Sequence, residues 1–83
     1  MKIYNADSKI ASLQVSRLGS VAAGDTEFGI TVLLKNITEE PVTCQILPAG
    51  QTAYISTVLS VGWNPELVIG VKGAPADSLQ YGY

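Results

Sequence analysis

Apolar and polar residues trade places with a period of two along much of the chain, the signature of half-buried strands. In residues 10–18, IASLQVSRL, Ala11, Leu13 and Val15 alternate with Ser12, Gln14 and Ser16. A helical stripe through Ala11, Val15, Leu18 and Ala22 competes, but the alternation is the better match and predicts a strand. Gly19-Ser20 and Ala23-Gly24-Asp25 then interrupt. Residues 27–35, EFGITVLLK, place Phe28, Ile30, Val32 and Leu34 on one face, with Thr31, Leu33 and Lys35 opposite. This is the clearest strand. Asn36 to Pro41 supplies the polar and proline residues of a turn. Residues 42–47, VTCQIL, alternate again, Pro48-Ala49-Gly50 breaks the run, and residues 52–59, TAYISTVL, carry the β-branched and aromatic side chains of another strand.

The last third changes period. Asn64 suits a helix N-cap, Pro65 the first helical position and Glu66 the positive helix end. Leu67, Val68 and Val71 then line one side, Gly70 weakens the helix and Gly73 stops it. The pattern predicts one short helix near residues 64–71. Ala74 to Asp77 reads as a turn and Ser78 to Tyr83 as extended chain. The expected fold is mainly β: a small antiparallel sandwich or open barrel of about four to six strands plus that helix. Few strands leave open edges, and open edges invite pairing with other chains.

Composition sharpens this picture. With 83 residues the chain makes one small domain, and no repeat or linker divides it. A domain of that size buries roughly 60–65% of the surface its unfolded chain exposes, so disulfides, metals or association usually reinforce it. Cys44 is the single cysteine and histidine is absent, which excludes an internal disulfide and a zinc site. Association is the remaining remedy. Only 14% of residues are charged, against about a quarter in an average domain. Lys2, Lys9, Arg17, Lys35 and Lys72 are scattered and the net charge is −2, which argues against nucleic acid. Met1 to Asp7 does not read as a secretory signal, and no apolar run approaches the ~20 residues that span a bilayer. The expectation is a protein made in a cytoplasm, with no membrane partner.

Catalytic chemistry is hard to assemble from these residues. A nucleophile needs a base within reach, yet Cys44 alternates with Val42 and Ile46 on an inward face, as a core thiol would. Glu39-Glu40 occupies a predicted turn, and the other acids stand apart. Asn36-Ile37-Thr38 matches an N-glycosylation pattern, taken here as chance without a secretory route. The glycines from Gly19 to Gly24 lack a phosphate-loop lysine. No enzyme activity, cofactor or metal is expected. An enzyme fragment or regulator that depends on Cys44 or the acidic pair is the outlying possibility. The informative side chains are Trp63, Tyr81 and Tyr83. Either Trp63 plugs the open end of the core while the tyrosines pack along an edge, or they anchor an interface, where Trp and Tyr are enriched, or they form a platform for sugar rings; the first two roles are compatible.

Several stretches carry a resemblance to a known class. Arg17-Leu18-Gly19-Ser20-Val21, Leu34-Lys35-Asn36 leading to Val42-Thr43, Ile46-Leu47-Pro48-Ala49-Gly50, Gly62-Trp63-Asn64-Pro65-Glu66 and Leu79-Gln80-Tyr81-Gly82-Tyr83 are similar to small virion structural proteins of tailed bacteriophages of gut bacteria. The resemblance spans most of the chain and implies a multi-copy, non-catalytic virion component: a head decoration, head-fibre or spike attachment protein. Its implied location is the virion, after synthesis in the bacterial host cytoplasm. The expected partners are further copies of the chain and a capsid or fibre protein. Residues 63–83 are expected to act as a docking segment, with Trp63, Asn64, Pro65, Leu79, Tyr81 and Tyr83 at the interface. The alternative is a small carbohydrate- or peptide-binding β module built on Trp63 and nearby tyrosines.

Overall fold

A computed structural model describes residues 15–83. It is all strand: β1 (Leu18–Ser20), β2 (Gly24–Asn36), β3 (Val42–Pro48), β4 (Ile55–Leu59), β5 (Gly62–Trp63), β6 (Val68–Ala74) and β7 (Leu79–Gly82). The strands form one seven-stranded sheet in the order β1-β7-β2-β6-β3-β4, with β5 added beside β2. The strand pairings are antiparallel. The strand expected at residues 10–18 falls mostly outside the described residues; its last residue, Leu18, opens β1.

β2 organises the sheet. Its first part pairs with β6, from Gly24↔Ala74 to Glu27↔Gly70, and Phe28 to Thr31 then stand opposite the single residue Ile69 before pairing resumes at Val32↔Val68. Extra residues on one strand bend and twist it, and Gly29 at φ 72° supplies a left-handed step within the bulge. Beyond the bulge β2 pairs with β7, from Leu33↔Gly82 to Asn36↔Leu79, and through Lys35↔Trp63 with β5. Val32, Leu33 and Leu34 are all buried. Three consecutive buried residues on a strand need cover on both faces, since neighbours point opposite ways.

The main core joins Val32 and Leu34 with Val42, Cys44, Ile46, Leu59, Val68, Val71 and Leu79. β3 shows why its alternation was readable: Val42, Cys44 and Ile46 are buried, while Thr43 and Gln45 are exposed. β4 lies antiparallel to β3 from Val42↔Leu59 to Ile46↔Ile55.

The helix expected at 64–71 does not form. Residues 64–67 are irregular, and 68–74 make β6, held between β2 and β3. Asn64 is turned to another use. Its Oδ1 accepts the Ser60 N–H at 3.0 Å, and its Nδ2 donates to the carbonyls of Ser60 (3.0 Å) and Gly62 (3.1 Å). A side chain spent backwards on its own loop cannot cap the residues ahead of it. Val68, Ile69 and Val71 are β-branched and fit a pleated surface between two strands, whereas Leu67, expected inward, is exposed.

Candidate functional site

The residues singled out near the end of the sequence are divided between two faces of the sheet. Trp63 and Gln80 both pair with Lys35, while Tyr81 pairs with Leu34. Directly paired residues share a face and adjacent ones do not. Trp63 therefore lies on the outer face with Lys35, and Tyr81 lies on the core face with Leu34.

On the outer face the indole of Trp63 covers Gly82, where an added Cβ would stand 2.8 Å from the ring and 2.5 Å from Val15. The Lys35 ammonium sits 5.7 Å from the indole centroid, a cation–π contact. Trp63 is half-buried on this outer face, while the partly buried aromatics packed against the main core are Phe28 and Tyr81. Leu18, paired with Gly82, shares this face and is 61% exposed.

On the core face an aromatic ladder climbs outward. Phe28, carried by the bulge of β2, meets Tyr81 at 5.0 Å between ring centroids, and Tyr81 lies parallel to Tyr83 at 6.3 Å. Tyr81 rests on Gly19, where a Cβ would come within 2.5 Å of the phenol ring. Tyr83 is tied down by its backbone: its carbonyl accepts the N–H groups of Ser16 (2.9 Å) and Arg17 (2.8 Å), and its N–H donates to the Arg17 carbonyl. Its ring remains exposed.

Of the six predicted interface residues, Pro65 and Tyr83 are exposed and Trp63 and Tyr81 half-buried. Asn64 and Leu79 are buried inside the chain's own fold. The segment 63–83 is not an appendage. It furnishes β6 and β7, both interior to the strand order, with β7 lying between β1 and β2. A sugar platform made jointly by Trp63 and Tyr81 is excluded by the sheet lying between them. Tyr54 is elsewhere again, over Gly70 on β6, with the Lys72 ammonium 4.4 Å from its ring centroid.

The groups examined as chemistry have structural occupations. Cys44 is buried, and burial raises its thiol pKa. Asn36, 1% exposed, is saturated: Nδ2 donates to the carbonyls of Glu40 (2.8 Å) and Leu59 (3.1 Å), and Oδ1 accepts from the N–H (2.9 Å) and hydroxyl (2.7 Å) of Thr38. The glycosylation-like triplet is thus a turn clamp, with no amide proton free for a glycan in the folded chain. Glu39 and Glu40 are exposed on that turn. A shallow hollow of about 320 Å³ lined by Glu27, Gly29, Leu47 and Ile69 gathers none of the predicted residues. Among the described residues no group of three His, Cys, Asp or Glu is placed to hold a metal, and no helix is long and apolar enough to cross a membrane.

Sequence reasoning expected open strand edges but did not assign one to β4. Among the described residues the strand order ends at β1 and β4. β4 reads ISTVL, without a charge, proline or glycine, and Ile55 and Val58 are 46% and 59% exposed. The signal was present as the uncharged run Pro41 to Pro65, which holds both β3 and β4. Comparison with protein-family models, with curated proteins and with solved structures finds no match.

Proposed function

We propose that this chain is a non-catalytic structural component of a bacteriophage virion, present in many copies as a capsid decoration, head-fibre or spike attachment protein. The observation that carries the assembly role is that, among the described residues, the strand order ends at β4, a neutral strand with two large apolar side chains in solvent. Proteins that work alone protect such edges with lysine, proline, bulges or very short strands. β1, at the other end, has only three residues and needs little protection. The virion setting comes from the resemblance of the sequence stretches described above. Tyr83, exposed beside β1, offers a second contact point for a capsid or fibre protein, and Leu18 offers another on the opposite face.

Sedimentation of dilute purified protein tests the assembly role; self-association that grows with concentration is expected, and a heat-resistant monomer at every concentration overturns it. Quantitative mass spectrometry of particles from the phage encoding the chain tests the setting. Many copies per particle are expected, and absence from particles rejects the virion role.

A further inference from the structure

We infer that Tyr81 and Tyr83 form a flat platform for an extended glycan, two sugar rings side by side, with Arg17 at its open end. Glycan binding here is separate from the assembly role of β4 and gives the exposed ring of Tyr83 a ligand of its own.

The platform follows from how the rings lie. A Cβ added to Gly19 would stand 2.5 Å from Cζ of Tyr81 and 2.6 Å from both Cε2 and Oη. Three bonded atoms are nearly equidistant at that range only from a point above the ring face, not beside its edge. Since a strand residue's Cβ stands up from the sheet, the Tyr81 ring lies along the sheet surface. Tyr83 is parallel to it within 1°, with centroids 6.3 Å apart. Residues two apart on a strand are displaced along the sheet rather than above it, so the two rings lie side by side. Tyr83 is the exposed end of this floor. Phe28, tilted 50° to Tyr81, is the wall at the inner end.

The ligand follows from the chemistry of such a floor. A tyrosine face carries the negative part of the ring quadrupole and attracts polarised C–H groups. A pyranose with equatorial hydroxyls presents axial C–H groups on both faces, and a β-1,4-linked chain of such sugars runs as a flat ribbon. The class that fits is therefore a β-1,4-linked chain of gluco-configured sugars. Arg17 and Tyr83 exchange backbone hydrogen bonds, Arg17 N–H to the Tyr83 carbonyl at 2.8 Å and Tyr83 N–H to the Arg17 carbonyl at 3.0 Å. Their side chains therefore share a face, and the exposed guanidinium brings N–H donors for sugar hydroxyls. Single-stranded nucleic acid would also stack on tyrosines, but it needs a basic groove along its phosphates. Arg17 is the only charged residue in 15–24 and 78–83.

Amide NMR spectra of the full chain, titrated with chitohexaose and separately with cellohexaose, test the platform. Shifts are expected at Arg17, Gly19, Tyr81 and Tyr83, while the indole N–H of Trp63, on the other face, stays in place. Tyr83→Ala changes an exposed ring and should weaken binding about tenfold, whereas Tyr83→Phe keeps the ring face and should hold affinity within about threefold. The same spectra show whether each variant keeps its fold. Absence of shifts with either sugar at millimolar concentration overturns the platform, and so does undiminished binding by a folded Tyr83→Ala. A stronger response to oligothymidine than to either sugar assigns the rings to nucleobases and overturns the glycan. A chain that remains monomeric removes the assembly role and leaves these readouts untouched.

Discussion

The ring of Tyr81 occupies the space that a side chain on Gly19 would need. The two residues are cross-strand partners in β1 and β7, and a Cβ on Gly19 would stand 2.5 Å from the phenol ring, well inside contact distance. The glycine is there so that the ring can lie flat against the strand, between Phe28 on one side and Tyr83 on the other.

Gly19→Ala is therefore expected to destabilise the fold by about 1–3 kcal/mol, the usual range for forcing extra atoms into a packed site. Denaturant unfolding measures it. In the Tyr81→Ala background the same change should become nearly neutral, since the clash is gone. An equal penalty in both backgrounds would remove the steric account.

Asn36 holds the turn between β2 and β3 to the end of β4. Replacing it with Ala strands the Leu59 carbonyl and the Thr38 N–H, each a buried or half-buried group without its partner. A loss of roughly 2–4 kcal/mol is expected, about 1–3 kcal/mol for each orphaned group with some recovery by water. Hydrogen exchange should quicken at Thr38. A change below ~0.5 kcal/mol, the level of an ordinary surface substitution, would contradict the clamp.

Burial holds the Cys44 thiol above its ordinary pKa. The unfolded chain ionises at the ordinary value, about 8.5, while the folded chain keeps its proton. Below that pH both states are protonated and Cys44 gives no pH dependence. As pH rises past it, the unfolded state loses a proton that the folded state retains, so stability falls until the folded thiol ionises as well. Comparing unfolding at pH 7 and pH 10 in the wild type and Cys44→Ala isolates this contribution, which only the wild type should display. Thiol reagents should label Cys44 only after denaturation.

Much of the fold was legible where burial alternates with the sequence. β3 follows from its alternation because it has a core side and an outer side, β4 follows from its β-branched residues, and the alternation in β2 was enough to place a strand. The helix was misread because Asn64-Pro65-Glu66 satisfies local rules for a helix start, and local rules do not reveal that Asn64 binds Ser60 and Gly62 instead. β1 and β5 are too short to impose a period. The site was the least legible part. Trp63 and Tyr81 look alike as aromatic anchors, and only their partners on β2, Lys35 and Leu34, separate them onto opposite faces. Leu79 was expected at the interface as part of the C-terminal docking segment, yet β7 is an inner strand.

That inner position governs how the protein reaches its native form. Leu79–Gly82 inserts between two strands translated well before it, β1 and β2. β1 has no strand neighbour among the described residues until β7 is made, whereas β2 can already pair with β5 and β6. Completion of the sheet is thus a late event that must close long loops, which slows two-state folding toward the millisecond-to-second range. A nascent chain halted before Leu79 would leave Leu33 and Leu34 without the strand that pairs with them.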